Sequence, residues 1–163
     1  MKKILFALVI SAALVPAALA APPAQAPSAF CKANAATLVG AGKTYRNAGA
    51  CVAKQQAQQE ANTTSAAAAC KAEQADGNFA ASHATKTFAQ FYGVNAKNGS
   101  NGNGNAYGKC VSLKASAKSA AQQAAQASAG KKCATAELKA QIGAGKTYAN
   151  RGACVAKLSK PAS

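Results

Sequence analysis

A fifteen-residue segment occurs twice in the chain, and each copy carries a cysteine close to its end. The copies read GAGKTYRNAGACVAK at residues 40–54 and GAGKTYANRGACVAK at residues 143–157. A further cysteine precedes each copy at nearly the same distance, Cys31 before Cys51 and Cys133 before Cys154. Such self-similarity is typical of a chain built from repeated structural units, so both copies are expected to share one local fold.

A weaker third copy lies between these two. The segment NAYGKCVSLK at residues 105–114 repeats the Gly-x-Cys-Val core, and Cys70 is the cysteine that precedes it. Six cysteines allow fifteen connectivities, but the repeat favours one bridge per unit: Cys31–Cys51, Cys70–Cys110 and Cys133–Cys154. Metal binding is the competing use of cysteine, but the chain has no C-x₂-C pair and a single histidine, so no metal site is predicted.

Disulfides matter here because the chain has few large apolar side chains. Apolar residues make up 50% of the sequence, but most of them are alanine. Ordering each residue costs about 1–2 kcal/mol of backbone entropy. A core with so few large apolar side chains provides too little hydrophobic stabilisation to offset this cost. A disulfide that closes a loop of about 15 residues contributes about 3 kcal/mol in the chain-entropy model, so three bridges are expected to supply the missing stability.

The secondary structure is expected to be helical. An asparagine precedes the second cysteine of each unit (Asn47, Asn105 and Asn150), where it can cap a helix, and runs of good helix formers follow. Shorter helices are expected around residues 30–39, 66–76, 80–91 and 135–142, and no segment alternates with period two. The sequence therefore predicts an all-α protein of three small disulfide-stapled helical units with flexible loops.

The middle helical run has an expected apolar face and an expected end. Gly130 is predicted to end this helix. Its lysines are expected elsewhere on the surface, while five residues fall at helical spacing on one face: Cys110, Leu113, Ala117, Ala121 and Ala124.

The N-terminus has the features of a bacterial-type secretory signal peptide over residues 1–20. Two lysines precede an apolar run too short to span a bilayer, and Ala18-Leu19-Ala20 provides a cleavage motif. An uncleaved anchor is the alternative, and the short run argues against it. The mature protein is predicted to be secreted or in the cell envelope, with no transmembrane segment. Its predicted parts are an extended leader (21–29), unit 1 (30–62), unit 2 (63–130, with a Gly/Asn-rich loop at 95–108) and unit 3 (131–159), which repeats unit 1.

The chain is strongly basic, with a net charge of +15. Such an excess favours polyanions, so an anionic cell-wall polymer or nucleic acid is the expected partner. The lysines are spread along the sequence, which weakens the case for one patch, and a module that binds an unknown partner protein, with charge serving only solubility, is the alternative. The candidate polyanion contacts are Lys43, Arg46, Lys54, Lys109, Lys114, Lys146, Arg151 and Lys157.

Nothing in the sequence assembles a catalytic site. The pentapeptide GAGKT suggests a phosphate-binding loop, but the glycine required five positions before Gly42 or Gly145 is replaced by Thr37 or Ala140. No nucleotide and no cofactor are therefore expected. His83 could act as a base towards a serine such as Ser82, but no orienting carboxylate is evident, so a small hydrolase is the least favoured function.

The segments NAYGKCVSLKA and YRNAGACVAK resemble those of exported Ala/Lys/Cys-rich proteins of actinobacteria. Those proteins carry segments such as NAFGKCVS and Y-x-N-x-G-x-C-V, often with an upstream C-x-x-E or C-x-x-L and an aromatic stretch ending in Tyr-Gly. Residues 70–73 and 88–93 match that arrangement. The resemblance covers the middle unit and the ends of the flanking units. It implies an extracytoplasmic location and supports three units, but implies no catalytic residues.

Overall fold

The computed structural model describes residues 23–93 and 105–160. The predicted signal peptide lies outside these ranges, as do residues 95–104 of the predicted loop. Within the described ranges the chain forms helices and no strand, so the all-α prediction is confirmed. The helices are α1 (Pro27–Ala33), α2 (Ala35–Leu38), α3 (Ala48–Ala75), α4 (Phe79–Ser82), α5 (Phe88–Gly93), α6 (Ala106–Lys132), α7 (Ala136–Ala140) and α8 (Arg151–Leu158).

Two long helices, α3 and α6, form an antiparallel pair that is the frame of the molecule. Cys70 near the end of α3 is bonded to Cys110 near the start of α6. At the opposite end of the pair, Gln55 of α3 donates to Gln126 of α6 at 2.8 Å. Because early residues of α3 meet late residues of α6, the two helices run in opposite directions.

The asparagine caps explain where two of the helices begin. The Asn47 side chain accepts from the Ala50 amide at 2.8 Å, and the Asn150 side chain accepts from the Ala153 amide at 2.9 Å. Both predicted caps are therefore confirmed. Asn105 also precedes its helix, but it adopts a left-handed conformation (φ 72°) and its side chain makes no capping hydrogen bond.

The three predicted disulfides are confirmed: Cys31–Cys51, Cys70–Cys110 and Cys133–Cys154. Two of them share one apolar cluster, since Cys31–Cys51 and Cys133–Cys154 pack with Phe30, Leu38, Tyr45, Tyr148 and Val155. This cluster lies where α3 begins and α6 ends, and we call that part of the molecule the repeat end. Cys70–Cys110 packs with Phe79 and Phe88 at the other end, which we call the aromatic end.

The predicted unit boundaries fall inside the long helices. The boundary between residues 62 and 63 lies within α3, and that between residues 130 and 131 lies within α6. The prediction that Gly130 ends the middle helix was wrong, because α6 continues to Lys132. The lack of a side chain at Gly130 instead lets Leu38 of α2 approach α6: a Cβ built there would lie 2.7 Å from Leu38 Cδ2.

The expected apolar face of α6 was also wrong. Leu113 is 61% exposed, and Ala117, Ala121 and Ala124 are exposed as well. Cys110 is the one member of that predicted face that is buried. The buried side of α6 carries polar residues instead, because these pair with polar residues of α3.

Those polar contacts form a seam between α3 and α6. Asn62 donates to Ser119 Oγ at 2.9 Å and to Gln122 Oε1 at 2.6 Å, while Gln55 donates to Gln126. Hydrogen-bonded amides of this kind satisfy polar atoms that would be costly to bury alone. We call this set the polar seam: Gln55, Asn62, Ser119, Gln122, Gln123 and Gln126.

The first described residues of the leader, 23–26, are held against the polar seam. The Gln25 amide donates to Gln123 Oε1 at 2.9 Å, and Gln123 Nε2 donates back to the Gln25 carbonyl at 3.0 Å. Gln59 Nε2 donates to the same carbonyl at 3.2 Å. Helix α1 then begins at Pro27, within the stretch that was expected to be extended.

Candidate polyanion-binding site

The two GAGKT segments form the same closed turn at the repeat end. In the first, the Gly40 amide donates to the Tyr45 carbonyl at 2.8 Å, and the Tyr45 amide donates to the Leu38 carbonyl at 2.9 Å. In the second, Gly143 and Tyr148 make the equivalent bond at 2.9 Å. Each turn thus directs its tyrosine into the shared apolar cluster, where both side chains are buried beside the disulfides.

Glycine is required in both turns by backbone conformation. Gly40 and Gly42 have φ of 133° and 71°, and Gly143 and Gly145 have φ of 144° and 72°. Side-chain-bearing residues rarely adopt these values, so glycine at these positions is what lets the chain turn. The ammonium of Lys43 does not face an open cradle of amides, because it donates to the Ala36 carbonyl at 2.7 Å.

The second repeat packs directly onto the first. A Cβ built at Gly152, in the first turn of α8, would lie 3.1 Å from the Lys43 carbonyl oxygen and 3.3 Å from the Thr44 Cα. At the equivalent Gly49 the nearest such atom is Asn47 Oδ1 at 3.5 Å. The missing side chain therefore lets another backbone approach at Gly152 but not at Gly49. The two copies share a turn but have different surroundings.

This packing gathers basic residues that are far apart in sequence. The repeat end combines α1, both turns, the start of α3, the end of α6, α7 and α8. Among the described residues, these elements contribute one acidic side chain, that of Glu137. The aromatic end is more balanced, because Glu73 and Asp76 accompany its lysines. The basic residues of the repeat end are Lys32, Lys43, Arg46, Lys54, Lys131, Lys132, Lys139, Lys146, Arg151 and Lys157.

Four of the eight predicted contact residues have partners within the protein. Lys43 is bonded to Ala36, Lys109 donates to the Gly93 carbonyl at 3.1 Å, and Lys114 forms an ion pair with Glu73 at 2.8 Å. Arg151 donates to the Gly130 carbonyl at 3.0 Å, and its Nε is buried without a partner among the described residues.

The other four predicted contacts are exposed at the repeat end: Arg46, Lys54, Lys146 and Lys157. Lys157 Nζ lies over the Tyr148 ring, 6.0 Å from its centroid, at the outer limit of a cation–π contact. The structure therefore brings four predicted residues together on one end. It also adds Lys131, Lys132 and Lys139. The first two directly precede Cys133 in the sequence, and Lys139 follows that cysteine by six residues.

Glu73 at the aromatic end is the centre of a separate network. Its carboxylate accepts from Lys114 and from the Tyr92 hydroxyl at 2.9 Å. Burial alone would raise the pKa of the Glu73 carboxyl, but these two donors together hold that pKa below its ordinary value. The same hydrogen bond raises the pKa of the Lys114 ammonium. Both groups are thus charged and paired at neutral pH, which removes Lys114 from the set available to a polyanion.

His83 packs as part of the aromatic cluster. Its ring stacks on Phe79 with centroids 3.7 Å apart, and Nδ1 lies 2.9 Å from both the Phe79 carbonyl and Ser82 Oγ. Ser82 Oγ itself donates to that same carbonyl at 3.1 Å. Both side chains are therefore directed at one backbone oxygen, and no carboxylate contacts the ring nitrogens among the described residues.

Comparison with protein-family models, curated proteins and solved structures finds no match to this chain. Within residues 23–93 and 105–160, no helix has the length and hydropathy needed to span a bilayer. The same residues contain no cluster of three or more side chains suited to hold a metal ion. The three disulfides fit an oxidising environment.

Proposed function

We propose that the protein binds anionic polymers outside the cytoplasm through its repeat end, without catalysing a reaction. One observation carries the proposal: the fold collects basic residues from seven separate stretches of sequence at one end of the helix pair, with Glu137 as their acidic neighbour in the described residues. The lysines are thus spread along the sequence, but many of them lie together at one end of the folded molecule.

Proximity makes these charges act together. Electrostatic interactions are screened over about 8 Å at physiological ionic strength, so charges gathered at one end act on the same stretch of polymer. Side chains such as Arg46, Lys54 and Lys146 are exposed and have no partner among the described residues. A phosphate-bearing wall polymer and nucleic acid both present closely spaced anions, and both release counterions when such residues bind them.

The test compares two double variants that remove equal charge from opposite ends. Lys131→Gln/Lys132→Gln neutralises the repeat end, and Lys71→Gln/Lys86→Gln is the matched control at the aromatic end; all four side chains are exposed. Binding to poly(glycerol phosphate) and to duplex DNA would be measured by equilibrium titration between about 50 and 200 mM salt, because affinity for a polyanion falls steeply over that range.

We expect the repeat-end variant to bind more weakly and with a shallower salt dependence. For duplex DNA, each lost phosphate contact reduces the slope of log K against log salt by about 0.9. The aromatic-end variant should retain the wild-type slope. Absence of binding to both polymers at low salt, or equal loss in the two variants, would overturn the proposal. The polymer that the protein binds more tightly identifies the partner class.

A further inference from the structure

A cleft lies at the repeat end between the first GAGKT turn, α3, α6 and α8. Its volume is about 460 Å³, within the range of small-molecule sites. The lining residues that concern its chemistry are Thr44, Tyr45, Lys54, Gln126, Val155 and Ser159.

Part of the wall is fixed by hydrogen bonds. The Tyr45 hydroxyl donates to Gln126 Oε1 at 3.0 Å and accepts from Gln55 Nε2 at 3.1 Å. Burial raises the pKa of the Tyr45 phenol, although the Gln55 bond opposes this, so the phenol stays neutral. Val155 is fully buried behind this wall, and the exposed methyl groups of Ala50 and Ala156 give the cleft its apolar surface. These side chains are used within the protein and shape the cleft.

Three other polar groups of the cleft have no partner among the described residues. Lys54 is an exposed residue, Ser159 is half-buried, and the hydroxyl oxygen of Thr44 is fully buried yet makes no hydrogen bond. A buried hydroxyl without a partner is destabilising, and buried polar atoms in folded proteins almost always have one. The three groups supply one positive charge and two hydroxyls, each able to donate or accept.

The second repeat has the equivalent residues Thr147, Tyr148 and Lys157, but their surroundings differ. Thr147 is exposed where Thr44 is partly covered by α8, and Lys157, the equivalent of Lys54, lies over the Tyr148 ring. The difference arises because Gly152 of α8 packs onto the Lys43–Thr44 backbone, whereas no described helix packs in that way onto the second turn. The cleft therefore follows from how the copies are assembled.

We propose that this cleft binds one oxyanion-bearing, hydroxylated unit, namely a phosphate or carboxylate carried on a polyol or sugar. Lys54 pairs with the oxyanion, the Ser159 hydroxyl bonds to an oxygen of the unit, and the Thr44 side chain turns its unpartnered hydroxyl towards the unit to bond to another. The methyl groups of Ala50 and Ala156 contact its carbon skeleton. The inference rests on the proposed function, since it names the unit of the polymer that the repeat end recognises. Single-unit ligands test it separately from the polymer.

The experiment titrates the folded protein with glycerol 1-phosphate, glucuronate and, as the uncharged arm, glycerol, followed by NMR shifts and calorimetry. Lys54→Gln should weaken binding of the preferred anion by about tenfold or more, as expected for a hydrogen bond to a charged group. Lys157→Gln removes the same charge from the same end and should weaken it by less than about twofold.

Thr44→Val, with Thr147→Val as its repeat-matched control, separates binding from folding. Thr44→Val should weaken binding severalfold while the free energy of unfolding is unchanged or increases, because the lost hydroxyl has no partner within the protein. Equal effects of Lys54→Gln and Lys157→Gln, or no binding of either anion, would overturn the subsite even where the polymer still binds. Binding of an anion that depends on Lys54, with no polymer bound, would uphold the subsite and overturn the proposed function. Preference for phosphate or carboxylate identifies the source polymer.

Discussion

The duplicated segment places identical residues in different surroundings, and its glycines show the effect most directly. Gly49 and Gly152 both lie in the first turn of a helix, two residues before a disulfide cysteine. Gly152 has the backbone of Lys43 and Thr44 against it, whereas the space around Gly49 is open beyond Asn47. The same substitution at the two sites should therefore change stability in opposite directions.

Gly49→Ala is expected to stabilise the protein by up to about 1 kcal/mol, because alanine loses less backbone entropy than glycine in a helix. Gly152→Ala should be destabilising by about 1–3 kcal/mol, because its methyl group would lie 3.1 Å from the Lys43 carbonyl oxygen and from Asn150 Oδ1. Chemical denaturation of the two variants measures both effects. A stabilising Gly152→Ala would show that α8 does not pack on the first turn as described.

At the scale of elements, α3 and α6 associate through amides rather than through a stripe of large apolar residues. Gln55, Asn62, Ser119 and Gln123 are all buried, and each is hydrogen-bonded. Hydrogen bonds are directional, so the polar seam fixes the register of two helices whose alanines could pack in several registers. The disulfide at Cys70–Cys110 enforces the same register from one end.

Asn62→Ala should lower the free energy of unfolding by about 1–3 kcal/mol, because Ser119 and Gln122 would lose their shared donor inside the seam. Thr63→Ala is the control, since Thr63 is the neighbouring exposed residue and its hydroxyl bonds only to the Gln59 carbonyl of its own helix. It should remain within about 0.5 kcal/mol of the wild type. Equal stability losses for the two variants would mean that the seam contributes nothing specific.

Local signals in the sequence predicted the helical character of the chain, two asparagine caps and the three bridges, because each depends on neighbouring residues or on the repeat. The separate helix expected around residues 66–76 is instead part of the continuous α3, and the helix expected around residues 80–91 is divided into α4 and α5. The seam was missed because Gln55 and Asn62 look like surface residues in an alanine-rich helix. Their seven-residue spacing, which recurs between Ser119 and Gln126, was the available signal. The cleft and the basic end could not be predicted, since both depend on how α8 and the first turn meet in space.

At the scale of the whole molecule, disulfide-bonded clusters occupy the two ends of the helix pair and a hydrogen-bonded seam joins them. The repeat end holds two bridges and the aromatic end holds one. Removing one bridge should therefore loosen one end of the molecule while the other end stays folded. This differs from the all-or-none unfolding expected of a small domain with a single core.

Replacing Cys70 and Cys110 together by alanine should cost about 4 kcal/mol in the chain-entropy model, for a bridge that spans 40 residues. Hydrogen exchange should then lose protection over residues 79–93 and keep it around residues 148–155. Replacing Cys31 and Cys51 instead should reduce protection at the repeat end. Uniform loss along the chain in either variant would contradict two separately stapled ends.

Each bridge joins a cysteine to the next one along the chain, with no bridge enclosing or crossing another. A chain made or exported from its N-terminus therefore presents each pair together before the first member of the following pair appears. Oxidation in order of emergence yields the native connectivity directly, and no disulfide has to be reshuffled afterwards. The leader, in contrast, can dock only late. Its residue Gln25 bonds to Gln123, which lies 98 residues further along the chain, so most of the chain must be present before this contact forms.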